Sequence, residues 1–199
     1  MGMKIKALMV LAVLAGCNQI TVPALASFLP GGALPAMRWD VRAEAKEWTT
    51  KALAVVARHD GELASRVPGD IAVFCPGYAK RGVNDRRAFW VGLMSAVARY
   101  ESGFNPRAVG GGGRYVGLMQ ISPQTARQYG CGAGSSAALK DGAANLECAV
   151  QVFAPHVAAD GMVAGGGNRG MARDWGPMSK RSDRAEIAGW TSAQAYCKG

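Results

Sequence analysis

Two histidines in 199 residues, and no C-x-x-C pair among five cysteines, leave little with which to hold a metal. Neither His59 nor His156 lies beside a cysteine, so zinc-ligand spacing is missing and no metal site is expected. No Gly-x-Ser-x-Gly and no H-E-x-x-H occurs, which removes two hydrolase signatures. Gly165-x-Gly167-x-x-Gly170 has the letters of a dinucleotide fingerprint. No Val/Ile-rich strand precedes it and no βαβ pattern surrounds it, so it is a flexible link and no cofactor is expected. The run Gly110 to Gly113 lacks the Gly-Lys-Ser/Thr ending of a phosphate loop. Acids are also scarce, 14 against 23 basic residues, for a formal charge of +9. That excess points to an anionic partner, although each single arginine is as well explained as a solubilising group. No apolar run is long enough to span a bilayer as a mature helix.

The N-terminus is organised for export. Lys4 and Lys6 precede a short apolar stretch, Ala7 to Ala15, and Leu14-Ala15-Gly16-Cys17 resembles a bacterial lipobox. Residues 1–16 are therefore expected to be a lipoprotein signal peptide, and Cys17 the acylated mature N-terminus. The alternative is an ordinary signal peptide cut near Ala24-Leu25-Ala26. Three prolines and a Gly-Gly pair mark residues 17–37 as an acylated cysteine and flexible tether, with the domain at 38–199. Asn18, rather than Asp, after the cysteine favours the outer membrane by analogy, on a periplasm-facing surface. Without Lys4 and Lys6 the mature chain keeps 21 basic against 14 acidic residues, a balance of +7. An exported protein seldom meets nucleic acid, so an anionic wall polymer or lipid surface is the expected partner. Cys75, Cys131, Cys148 and Cys197 remain, an even number that suggests two disulfides with three possible connectivities. Pairing Cys131 with Cys148 would close a loop around a helix start. Cys75 with Cys197 would pin the C-terminal tail.

Strand signals are few, and the periodicity is helical. Val41, Ala45, Trp48, Ala52 and Val55 or Val56 recur at helical spacing, with Asp40 available as N-cap and an end before Gly61. Val67 to Asp70 is a turn, and Ile71 to Pro76 an apolar piece without a clear period. A second helix is predicted from about Arg87 to Tyr100, with Phe89, Leu93, Val97 and Tyr100 on one stripe. Trp90, Val91 and Met94 make it apolar nearly all round, the mark of a buried helix. Ala108 to Met119 is glycine-rich loop or a minor hairpin. Ser122-Pro123 opens a helix, with Ser as cap and Pro in the first turn. Asp141 caps another, carrying Leu146, Val150, Phe153 and Val157. Two short helical segments follow the glycine break, around Gly170 to Trp175 and Ser182 to Gly189. The chain is predicted to be mainly α, one domain with short loops and no internal repeat.

Glu101 ends the apolar helix. A carboxyl held there is pushed towards a raised pKa, because desolvation penalises the anion. Such a group can protonate a leaving oxygen near neutral pH. Two motifs surround it: Glu101-Ser102 with Phe104-Asn105-Pro106, then Gly117-Leu118-Met119-Gln120 with Ile121-Ser122-Pro123-Gln124-Thr125-Ala126. At this interval the pair resembles the first two signature motifs of lytic transglycosylases with the lysozyme-like, goose-type fold, the transglycosylase SLT domain. The resemblance covers about a third of the chain, Ala88 to Val150, including the helix start at Asn145-Leu146. It implies a lysozyme-like single domain that cleaves peptidoglycan glycan strands, with Glu101 as the one catalytic acid and then base, no cofactor, and a monomer. In that family the substrate's N-acetyl group assists, and its 6-hydroxyl closes a 1,6-anhydro ring in place of water.

Residue by residue, Gly117 would let the backbone pass close to substrate. Leu118 and Met119 would supply apolar walls, although Leu118 and Ile121 serve equally as core. Gln120 would offer its amide to a sugar, and Ser102 would either orient the carboxylate or cap the helix end. Tyr115 and Trp175 are candidate sugar platforms, against the commoner fate of a buried aromatic. The family's third motif is usually Ala-Tyr-Asn followed by Gly. Here the corresponding place reads Ala172-Arg173-Asp174-Trp175-Gly176-Pro177, so Asp174 or Trp175 is expected to take over part of its work. A hydrolytic muramidase would need a second acid such as Asp174 folded into place. A wall-binding protein on a decayed scaffold would have no reason to keep Glu101.

Overall fold

The computed structural model describes residues 33–199. The expected signal, Cys17 and most of the tether lie outside the described residues. Of the segment assigned to the tether, Met37 is already buried in the core. Ala36 accepts a hydrogen bond from the Tyr196 hydroxyl (3.3 Å), so packing begins slightly before residue 38.

Helix α1, Ala45–Arg58, starts later than the Asp40 cap implies. Asp40 instead accepts from the Met37 N–H (2.8 Å), closing a turn, and Val41 is left in solvent. The rest of the expected stripe, Trp48 to Val56, is buried, and the Trp39 indole donates to the Thr49 hydroxyl beneath it. The apolar piece after the turn forms a single helical turn, α2, Ile71–Phe74.

Helix α3, Val83–Ser102, runs through the centre, and every residue from Ala88 to Ala98 is buried. It begins four residues earlier than periodicity shows, because Asn84 to Arg87 are polar and carry no stripe. Asp85 there suits the positive end of the helix dipole. Tyr100 leaves the expected stripe, sits at the surface and donates to Glu186 (2.9 Å). Gly103, at φ +58°, ends the helix in the left-handed conformation that glycine adopts without strain.

The glycine-rich region is a small antiparallel hairpin, β1 (Val109–Gly110) against β2 (Tyr115–Val116), with Val116 also bridging Ile121. Ser122 caps α4, Pro123–Gln128, by accepting from Thr125 N–H (3.0 Å). Asp141 caps α5, Gly142–Asp160, through Ala144 N–H (2.8 Å), as its position implies. A 3₁₀ turn, Gly170–Arg173, leads into α6, Gly176–Ser179, and α7, Arg181–Ser192. Helix α1 packs on α3 and α5, α7 on α3, and the Gly170–Arg173 turn on α5. The architecture is mainly α, with one minor hairpin.

Two disulfides tie this body, Cys131–Cys148 and Cys75–Cys197, the latter spanning 122 residues. The second brings the C-terminus to the middle of α3. A Cβ at Gly92 would run into the Tyr196 hydroxyl, so glycine there is what lets the tail approach.

Candidate active site

The last turn of α3 carries Glu101 out of the core into a cleft of about 470 Å³. Gly111, Tyr115, Gln120, Asp174, Trp175 and Gly176 complete its lining. Among the described residues Glu101 has no hydrogen-bond or ion-pair partner. Its neighbour Arg99 faces Glu186 instead (3.8 Å). Burial therefore acts unopposed and pushes the Glu101 carboxyl up from 4.5 to about 7. At neutral pH much of this group holds its proton and can give it away. Its conjugate base is strong enough to take one back.

The two motif loops are locked to each other. Ser102 Oγ donates to the Leu118 carbonyl (2.9 Å), with Ala98 O also within reach (3.2 Å) of its one hydrogen. It thus staples the helix end to the second loop and does not touch the carboxylate. Gly117 has φ +85°, and its missing Cβ is replaced in space by the Asn145 amide and the Leu139 carbonyl. Glycine is needed for the loop to lie on α5. Leu118 and Met119 are fully buried and back the cleft from the core without lining it.

Gln120 does reach the cleft. Its Nε2 donates to Gly117 O (2.9 Å) and Ala108 O (3.3 Å), so both N–H groups are spent within the loop and only its carbonyl oxygen remains for a ligand. Phe104 (φ +65°) and Gln120 (φ +48°) are the non-glycine residues with positive φ among those described, one in each motif. Strain of this kind collects at functional sites, where surrounding bonds enforce it.

Tyr115 is 40% exposed, with the Arg114 guanidinium 5.9 Å from its ring centre, and lines the cleft. Trp175 has the commoner fate of a buried aromatic, although it still lines the cleft. It is 4% exposed, meets Phe153 edge-on, and its indole N–H donates to Met119 O (2.9 Å). Only its edge reaches the cleft. A narrow extension of about 70 Å³ continues past Trp175 between Tyr115, Ser122, Thr125 and Val152.

Asp174 borders both spaces. Burial raises its pKa, while His156 and Arg173 hold it down. His156 is not beside a cysteine in the sequence, but it has partners in space. Its Nε2 lies 2.7 Å from the Tyr129 hydroxyl and 3.5 Å from Asp174 Oδ2. Nothing local in the sequence signals this, since the three residues meet only in space.

Asn145 was also missed as a functional support. Fully buried, its side chain accepts from Met119 N–H (2.8 Å) and donates to Val116 O (2.9 Å) and Leu139 O (3.0 Å). The available signal was an amide beside Leu146 on an otherwise apolar helix face.

The site is one unpaired, desolvated acid opening on a cleft in a mainly helical body. The Transglycosylase SLT domain family matches residues 81–183, and the chain belongs to that family. It is a lytic transglycosylase with a lysozyme-like fold. Among solved structures, the wild-type form 2 of Bd0314 DslA matches 83% of this chain and 100% of its own, with 27% identity and a TM-score of 0.74. Two Glu-to-Gln mutants of DslA match over the same shares and identity, with TM-scores of 0.74 and 0.73. No protein of curated function matches the chain significantly.

Proposed function

We propose that this enzyme cleaves the β-1,4 bond between N-acetylmuramic acid and N-acetylglucosamine in peptidoglycan and leaves a 1,6-anhydro end. The observation that carries this reading is the isolation of Glu101, raised to about 7 by burial alone. Protonated Glu101 gives its proton to the glycosidic oxygen as the C1–O bond breaks, and the substrate's N-acetyl oxygen covers the anomeric carbon. The Glu101 carboxylate then takes the proton of the 6-hydroxyl, whose oxygen bonds to C1 and displaces the acetamido group. One acid serves both half-reactions, and no water is consumed.

Product mass tests it. Digested sacculi should yield muropeptides lighter by one water than hydrolytic products. One observation favours a second reading: Asp174 lines the same cleft, and a second carboxylate is what a hydrolytic muramidase uses to activate water. Reducing-end products would select that reading.

The pH profile gives an independent check. The donor must be protonated, so activity is expected to fall above pH about 7, about tenfold per pH unit once Glu101 is mostly ionised. A rate that holds constant to pH 9 would remove Glu101 as the proton donor.

Location is part of the same proposal. The lipobox-like run at Cys17 supports a diacylated N-terminus, anchoring a monomer at a periplasm-facing surface, with the outer membrane favoured by Asn18. Intact mass of membrane-extracted protein should show a chain beginning at Cys17 with acyl groups attached. A free α-amine on any other residue would reject the anchor.

A further inference from the structure

Asp174 is held from both sides. Before it, Arg173 Nε donates to Asp160 (2.7 Å), and Asp160 also accepts from the Gly170 N–H (2.6 Å), fixing the 3₁₀ turn to the end of α5. After it, the Trp175 indole pins the chain to Met119. The backbone therefore has little freedom, and the side chain faces the cleft.

What that carboxylate meets is unusual. Oδ2 faces His156 Nε2 on α5, which in turn meets the Tyr129 hydroxyl at the end of α4. Arg173 attracts it from the preceding turn, while Glu101 and Tyr115 share the cleft. No other partner of Asp174 is present among the described residues. A half-buried carboxylate with unspent lone pairs beside a cleft gains when a ligand donor reaches it.

We propose that His156 is a positioning residue for Asp174, holding its carboxylate towards the cleft so that it accepts a hydrogen bond from a glycan hydroxyl or acetamido N–H. Tyr129 meets the same nitrogen, its hydroxyl oxygen accepting from Nε2–H (2.7 Å) alongside the carboxylate (3.5 Å). This rests on the glycan-cleaving reading of the cleft and adds a binding element to it. Of these three, Asp174 lies in the stretch where the third motif departs from its usual letters.

A double-mutant cycle on glycan affinity tests the link. Soluble, uncross-linked glycan strands are titrated into the Glu101→Gln protein, alone and with Asp174→Asn, His156→Gln, or both. Asp174→Asn should weaken binding about tenfold or more, the range of a hydrogen bond to a charged group. His156→Gln should weaken it less, and the pair no more than Asp174→Asn alone, because one residue acts through the other.

In the Glu101-containing enzyme, KM should rise by more than kcat falls. His156→Gln should also shift the pH dependence of KM upward, since the influence lowering the Asp174 pKa is removed. A purely structural histidine would give additive losses in both Asp174 backgrounds and an unshifted KM profile. Either result overturns the proposal. If His156→Gln lowers the melting temperature sharply, Tyr129→Phe replaces it in the same cycle, with the same non-additivity required. The proposed chemistry fails separately, through reducing-end products, and such products leave this binding cycle readable.

Discussion

Glu101→Gln is expected to lower turnover of peptidoglycan by at least about 10²–10⁴-fold, the contribution of a positioned general acid–base alone. Glutamine keeps the size and reach of the side chain but cannot donate a proton to the glycosidic oxygen or take one from the 6-hydroxyl. Both half-reactions fail together, so no intermediate should accumulate, and binding of glycan strands should survive. Near-normal turnover would end the assignment. The same variant has a second signature. The folded pKa of about 7 lies above the ordinary glutamate value of 4.5, so between these values the folded protein holds a proton that the unfolded chain lacks. Stability drawn from that carboxyl is complete below pH 4.5 and is lost as pH rises through about 7. Glu101→Gln should thus flatten this part of the stability–pH curve and melt higher than wild type at pH 8. The loss of activity would then accompany a gain in stability, which excludes unfolding as its cause.

Asn145→Ala is the second large effect. Its amide satisfies three buried backbone groups, Met119 N–H and the carbonyls of Val116 and Leu139. The Val116 carbonyl keeps the Ile121 N–H (3.0 Å), but Met119 N–H and Leu139 O would be left unpaired at about 1–3 kcal/mol each, so a loss of about 2–6 kcal/mol in denaturant unfolding is expected. Asn145→Leu, close in volume, should be nearly as damaging, because the missing bonds and not the missing volume are the cause. Activity should fall with it even where the protein remains folded, since Met119 and Gln120 lose their placement beside Glu101. A change below about 1 kcal/mol in both variants would show that the loop holds itself.

Much of this was legible because Glu101 and its loop are local features. The apolar run Phe89 to Ala98 announced a central helix, and capping residues at Ser122 and Asp141 marked where α4 and α5 begin. The start of α1 was misread because Asp40 has the right letter for a cap but spends its carboxylate on the Met37 turn. For Gly117 the motif position suggests contact with substrate, and for Trp175 it leaves a sugar platform and a buried aromatic both open. Their neighbours, Asn145 and Met119, come from elsewhere in the chain and turn them into packing elements. Asp174 lines the cleft. His156 and Tyr129, 27 positions apart, carry no pattern that one-dimensional reading could join.

The tail that meets α3 sets an order of events. Gly92 gives up its side chain so that the Tyr196 hydroxyl can sit against the helix, and that hydroxyl reaches across to Ala36. The neighbouring Cys197 closes a loop of 122 residues back to Cys75. Contacts this distant in sequence form late, since the chain between them must first be brought together. The helix that bears the acid can be nucleated early from its own apolar residues, but it cannot be fully enclosed until residue 196 has joined it. In a newly made chain, completing the housing of Glu101 waits on nearly the whole length of the protein.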